Sequence, residues 1–299
     1  MKNWKNFIDQ DTLRDTISLA LNEDMVEKDI TTQALNIQKI QGVGKIYSKS
    51  KGVLAGLEIA KEVFHFLDPD LEWKFLKKDG EEVKEKEAVA EVRGKTSSLL
   101  QAERVALNFL MRLSGIATET RKYVERAKLH QIDIYDTRKT TPGLRPLEKY
   151  AVSVGGGKNH RMNLKDQILI KENHIRCAGS IQEALNRALS WRKKNRKHYP
   201  NLKIEIEVES FQELEQVAPL QPDIIMLDNM KGEILKKSLA FLAQYPQIQV
   251  EVSGGIHLEN LQEYLLPGIH RIAIGSLTHS YKAMDFSFLL EEVSYVHSR

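Results

Sequence analysis

From residue 132 onward the chain repeats one unit: a short β-branched and aliphatic run, then polar residues, then a helical pattern. This alternation restricts the fold more than any other feature. The runs are 132–135, 168–170, 204–208, 224–227, 248–252 and 272–274, with helical patterns such as 181–194 and 234–245 between them. Apolar runs separated by helical crossovers are the pattern of a parallel sheet. Six such strands fit either an open doubly wound sheet or a closed barrel. Polar residues end every run here, whereas an open sheet concentrates its site at one switch point, so a barrel is expected.

Before about residue 114 the rhythm is different. Segments 11–21 and 57–67 read as amphipathic helices, and 44–54, 71–76 and 88–92 as strands around the charged stretch 77–87. Strands and helices without strict alternation predict an α+β unit, so the fold class is α/β plus α+β. Ser98 and Gln101 have capping-box spacing, and Leu99, Ala102, Ala106, Phe109 and Leu113 follow on one stripe. Arg104 falls off that stripe and must point to solvent or to another surface.

Composition narrows the function classes. A chain of 299 residues can bury a core without disulfides or structural metal. Its single cysteine, Cys177, excludes an intramolecular disulfide and a cysteine-based zinc site, and fits a reducing compartment. Forty-four Lys+Arg against 41 Asp+Glu leave a charge of +3, too balanced for a protein that coats nucleic acid. No apolar run is long enough to cross a bilayer and the start lacks a signal peptide, so no membrane partner and a cytoplasmic location are expected.

The residues following the strands could carry chemistry. They are Asp136, Thr137, Arg138 and Lys139; Lys171, Glu172, Asn173 and His174; Glu207; Asp228 and Asn229; Ser253, Gly254 and Gly255; and Gly275 with Ser276. In a parallel barrel these positions converge on the carboxyl-end face. Glycine-rich turns after the last strands suit a phosphate monoester, or are merely tight turns. Glu207 and Asp228 end apolar strands, where a carboxylate needs a cationic or hydrogen-bonding partner. Sugar hydroxyls with Mg2+ would serve, as would an internal ion pair with Lys139 or Lys171. Glu205, Glu207 and Glu209 share one parity, so alternation does not say which reaches the centre.

The segment Gly155-Gly156-Gly157-Lys158-Asn159-His160-Arg161 reads as flexible, basic and able to fold over an anion. With Arg138, Lys139 and Lys171 it makes a local cationic focus, and arginine's fork matches carboxylates and phosphates. The basic run Arg192-Lys193-Lys194-Asn195-Arg196-Lys197 closes a helix and reads as a solvated end, with nucleic-acid binding as its alternative. A Schiff-base enzyme using Lys139 or Lys171 is a second alternative.

The motifs Asp136 to Arg145, Glu148 to Val152, Gly155-Gly156-Gly157 with Asn159-His160-Arg161, and Leu169-Ile170-Lys171 with Asn173-His174 resemble the quinolinate phosphoribosyltransferase family. The resemblance continues through Leu227-Asp228-Asn229, Ser253-Gly254-Gly255-Ile256 and Gly275 to Ser280, and reaches back to Glu103-Arg104 and Asp29-Ile30-Thr31-Thr32. Met25-Val26-Glu27-Lys28 lacks the glycines often found in the family before Asp29. The resemblance implies an N-terminal open-faced α/β sandwich over 1–114, joined by the tail 278–299, and an incomplete six- to seven-stranded parallel α/β barrel over 115–277. It implies joining of quinolinate to phosphoribosyl pyrophosphate, giving nicotinate mononucleotide, pyrophosphate and CO2 in NAD biosynthesis, with Mg2+ as cofactor. It further implies a homodimer with shared active sites. Arg104 of the neighbouring subunit, Arg138, His160, Arg161 and Lys171 would hold the quinolinate carboxylates. Thr137 would be a further substrate contact, Lys139 would lie between the pyridine and the pyrophosphate side, Glu207 and Asp228 would meet ribose and Mg2+, and Ser253, Gly254, Gly255, Ile274, Gly275 and Ser276 would hold the 5-phosphate. Lys139, Lys171, Glu207 and Asp228 would be the catalytic set.

Overall fold

The computed structural model describes residues 3–38 and 40–295. They form two compact units, one within the bounds 1–121, 141–156 and 280–299, the other within 122–140 and 157–279. No helix among the described residues is long and apolar enough to cross a membrane.

The first unit carries α1 (Gln10–Glu23), α2 (Ile30–Ala34), α3 (Leu57–Leu67), most of α4 (Thr96–Ala127) and α5 (Arg145–Val154). Its antiparallel sheet contains β1 (Ile40–Ser48), β3 (Glu72–Phe75), β5 (Ala88–Lys95) and β12 (Phe286–Tyr295), in the order β12-β1-β5-β3. The single strand expected over 44–54 is two. The chain bends after Ser48, whose hydroxyl donates to the Ser50 carbonyl at 2.6 Å, and β2 (Gly52–Val53) then pairs with β4 (Glu82–Val83), a strand inside the charged stretch.

Helix α3 buries Leu57, Ile59, Ala60, Val63 and Phe64. Its first N–H groups are satisfied from outside the helix: the half-buried Asp79 carboxylate accepts from Gly56 at 2.7 Å and Leu57 at 3.0 Å, and Tyr150 donates its hydroxyl to it at 2.6 Å. Helix α4 starts at Thr96, ahead of the expected cap, and the capping box does not form. Ser98 donates to Asp68 at 2.8 Å and Gln101 to the Val26 carbonyl at 3.1 Å, so tertiary partners take both side chains. The stripe Leu99, Ala102, Ala106, Phe109 and Leu113 is buried as expected, while the Arg104 side chain is 57% exposed.

The second unit holds a six-stranded parallel sheet of β6 (Asp133–Tyr135), β7 (Ile168–Ile170), β8 (Ile204–Val208), β9 (Ile224–Asp228), β10 (Gln249–Ser253) and β11 (Arg271–Ala273). Strand order is β6-β11-β10-β9-β8-β7, so the first two strands of the unit form the sheet's two edges. Helices α6 (Glu172–Ala178), α7 (Ile181–Lys194), α8 (Phe211–Val217), α9 (Gly232–Leu242) and α10 (Ser276–His279) complete the unit. Ser180 and Ser210 cap α7 and α8 by accepting the N–H groups of Glu183 and Glu213. One face of the sheet carries apolar side chains, among them Ile206, Leu227, Val252 and Ile272, all fully buried. The opposite parity carries Glu205, Glu207, Asp228, Glu251, Ser253 and Arg271. Arg192 is not simply solvated at the end of α7: it pairs with Asp223, the residue just before β9.

Candidate active site

The carboxyl ends of all six parallel strands surround a cavity of about 790 Å³ in the second unit. Thr137, Arg138, Lys139, His160, Arg161, Lys171, Glu207, Asp228, Ser253, Gly254, Gly255, Ile274, Gly275 and Ser276 line it, so the sequence-expected residues of this unit share one mouth. Arg104 belongs to the first unit, 3.7 Å from Glu103, and is not among the lining residues.

The loop after β6 sets out the first cations. Thr137 Oγ1 accepts the Lys139 N–H at 3.0 Å, and Thr278 donates its hydroxyl to the Lys139 carbonyl at 2.8 Å. Gly275 gives the lysine room, since a Cβ there would lie 3.0 Å from Lys139 Cδ and 3.2 Å from His279 Nε2. Arg138 Nε is buried without a protein partner. Arg161 donates to the Gln167 carbonyl at 3.2 Å; burial, and next the charge of Arg138, lower its pKa from the ordinary value. Two guanidiniums that repel one another beside a cavity favour an anion between them.

The segment expected to be flexible is pinned where it approaches this site. Lys158 bridges to Tyr135, the Asp136 carboxylate accepts from Asn159 Nδ2 at 2.6 Å, and it takes the His160 N–H at 2.8 Å. Lys158 is not part of the cationic focus. Its ammonium sits 2.6 Å from Asp133, at the far end of β6. His174 does not line the cavity; its Nδ1 accepts the Lys171 N–H at 3.0 Å and closes the start of α6.

The parity left open along β8 resolves by depth. Glu205 is fully buried at the floor, Glu207 lines the wall, and Glu209 is exposed at the rim. The internal ion pair considered for Glu207 is present, with Lys171 Nζ 2.5 Å from its carboxylate. Asp228 instead accepts from Asn229 at 2.5 Å. Oxygens of Glu207, Glu209 and Asp228 lie within 4.8 Å of one another, and the Glu209 pKa is raised by desolvation and by the surrounding carboxylates, Glu207 and Asp228 among them. A divalent cation would relieve that repulsion.

On the opposite wall, Gly254 and Gly255 have φ of +97° and +58°. A Cβ on Gly254 would lie 2.3 Å from Asn229 Oδ1 and 2.8 Å from its backbone nitrogen. Ser276 Oγ is buried without a protein partner.

Sequence reasoning missed the floor. Arg271 places Nη2 2.9 Å from Glu205 and Nε 2.6 Å from Glu251, with its guanidinium 5.0 Å from the Tyr135 ring centre. His160 Nε2 faces the same carboxylates at 3.3 and 3.6 Å, and its Nδ1 accepts the Arg161 N–H at 2.8 Å. Burial lowers the imidazole pKa, but Glu205 and Glu251 outweigh it and bring it to about 9. The Arg161 contact opposes protonation of Nδ1; in either state Nε2 carries a proton toward the carboxylates. Burial, and then the charge of Glu205, raise Glu251 to about 7, whereas His160 and Arg271 overcome burial at Glu205 and lower it. His160, Glu205 and Glu251 have metal-binding spacing, but Arg271 already supplies their positive charge. The signal for this floor was a charged residue flanked by aliphatic residues inside a strand, as at Glu205 and Glu251. His257 and His279, which also line the cavity, gave no comparable signal.

Comparison with known proteins places these observations in context. Residues 29–114 match the quinolinate phosphoribosyl transferase N-terminal domain and 116–289 the C-terminal domain of the same family. A probable nicotinate-nucleotide pyrophosphorylase [carboxylating] of Bacillus subtilis is 43% identical, over 91% of this chain and 95% of its own length. The Mycobacterium leprae nicotinate-nucleotide pyrophosphorylase [carboxylating] is 38% identical, over 92% and 96%. The crystal structure of NadC from Streptococcus pyogenes superposes with a TM-score of 0.87 at 40% identity, covering 97% of this chain and 99% of that one.

Proposed function

The chain belongs to the quinolinate phosphoribosyltransferase family, and from that premise we propose how its second unit performs the reaction. The enzyme joins quinolinate to phosphoribosyl pyrophosphate, releasing pyrophosphate and CO2 and leaving nicotinate mononucleotide. The observation that carries the site assignment is the division of one cavity into a guanidinium wall, a carboxylate wall and two turns with glycine. That division matches a dicarboxylate on one side and a sugar phosphate on the other.

Arg138 and Arg161 hold the quinolinate carboxylates, with Lys171 at the margin. His160 has both ring nitrogens directed at protein groups, so its contribution is charge and the placement of the Arg161 backbone. Lys139 lies between the pyridine and pyrophosphate sides. Glu207 and Asp228, with Glu209 beside them, meet the ribose hydroxyls and would hold Mg2+. The chemistry a bound Mg2+ supplies there is neutralisation of charge on the departing pyrophosphate. The Ser253–Gly255 and Ile274–Ser276 turns receive the 5-phosphate through backbone N–H groups and the Ser276 hydroxyl.

Loss of pyrophosphate leaves oxocarbenium character at the anomeric carbon. The arginines place the ring nitrogen beneath that carbon, an orientation effect worth up to roughly 7–11 kcal/mol. Once ribosylated, the cationic nitrogen stabilises the electron pair left when CO2 departs from the adjacent carbon, and that carbon then takes a proton from water to give the product. No covalent nucleophile is needed, which sets aside a Schiff-base lysine.

We also infer that the six strands form an incomplete barrel. His160 follows the β6 edge yet faces Glu205 on β8, four strands along the sheet, at 3.3 Å. In a flat sheet those strands would be about 19 Å apart. The second copy of the chain is proposed to contribute Arg104 to the mouth. Incubating the chain with Mg2+, phosphoribosyl pyrophosphate and either quinolinate or nicotinate tests the reading. CO2 and a mononucleotide form with quinolinate; turnover of nicotinate alone would overturn the substrate assignment.

A further inference from the structure

We propose that Lys171 and Glu207 form a latch that couples the binding of the two substrates. The proposal rests on the site assignment above. Lys171 Nζ lies 2.5 Å from the Glu207 carboxylate, whose oxygens also lie within 4.8 Å of those of Glu209 and Asp228. The carboxylate therefore has two competing partners, the lysine ammonium and a divalent cation carried with the pyrophosphate substrate. An ammonium seated against the carboxylate repels a divalent cation approaching it. Lys171 has a second partner of its own, the dicarboxylate whose other cationic contacts are Arg138 and Arg161.

The two members of the pair differ in freedom. Glu207 is fixed on β8 with a side chain only 10% exposed, whereas the Lys171 side chain is 46% exposed at the start of α6. The lysine is the moving part. With the site empty, each group neutralises the other. When the metal–phosphoribosyl substrate takes Glu207, the ammonium swings to the dicarboxylate, and when the dicarboxylate draws the ammonium away, the carboxylate wall becomes free. Each substrate thus raises the affinity for the other, and thermodynamic linkage makes the two effects equal. Lys171 is a contact for one substrate and the lock on the other's site.

Benzene-1,2-dicarboxylate keeps both carboxylates of quinolinate but has no ring nitrogen to be ribosylated, so its binding can be titrated calorimetrically without turnover. In the wild-type chain its dissociation constant falls about five-fold when Mg2+ and phosphoribosyl pyrophosphate are present, the scale of one partly exposed ion pair. Glu207→Gln, with the lysine released, binds the dicarboxylate about five-fold tighter without the second substrate and no longer responds to it. Asp228→Asn removes the same charge from the same wall without freeing the lysine, and gains clearly less. Equal gains in the two variants, or wild-type coupling undiminished in Glu207→Gln, would overturn the latch. Failure of the dicarboxylate to bind any of the three proteins would instead overturn the site assignment itself.

Discussion

At the scale of single residues, the floor of the cavity makes the sharpest statement about pH. Glu251 titrates near 7 in the folded chain because burial and Glu205 disfavour its charge. An unfolded carboxyl loses its proton near 4.5. The raised value means the favourable protonated form is fully present below 4.5 and its contribution to stability is lost as pH rises through the folded value. Glu251→Gln stays neutral throughout. Thermal midpoints measured from pH 4.5 to 7.5 fall more steeply in the wild type than in this variant; parallel slopes would refute the assignment. The residues at strand ends were legible because a polar residue after an apolar run marks the end of a parallel strand. Glu251 and Arg271 were not, since alternation gives no depth and one charge between two valines reads equally well as a solvated edge. Glu205, Glu207 and Glu209 share a parity but differ in height along the chain at β8, and alternation records no height.

At the scale of elements, the strand positions of the second unit were readable to within a residue or so, because each apolar run is bounded by polar residues or glycine. The first unit was less readable. Segment 44–54 contains enough β-branched and aliphatic residues for one strand, but Ser48 turns the chain through a side-chain hydrogen bond that no periodicity records. Ser98 and Gln101 have the right spacing for a cap, yet Asp68 and the Val26 carbonyl compete for them and win. The turn after β10 offers a test of element geometry. Gly254→Ala forces a non-glycine residue to φ +97° and drives a methyl into Asn229. Backbone strain alone costs ~1–3 kcal/mol. We expect a lower thermal midpoint and a raised KM for phosphoribosyl pyrophosphate, with weaker effects on dicarboxylate binding. Unchanged KM for the phosphoribosyl substrate would detach this turn from phosphate recognition.

At the scale of the molecule, the proposed sharing of sites between two copies has a direct readout. In a dimer of one Arg104→Ala chain and one Lys139→Ala chain, one site carries both defects and the other carries none. Mixing the two inactive proteins under subunit exchange therefore restores activity, and silence in demonstrably mixed dimers would remove Arg104 from the site. The order of the polypeptide has a different consequence. Strand β1 lies between β5 and β12, and β12 follows the entire second unit in the chain. While a ribosome is still making the second unit, β1 has a bare hydrogen-bonding edge with nothing of its own chain to cover it. The nascent protein is then most exposed to self-association, and a chaperone shielding that edge would matter most in the interval before β12 is synthesised.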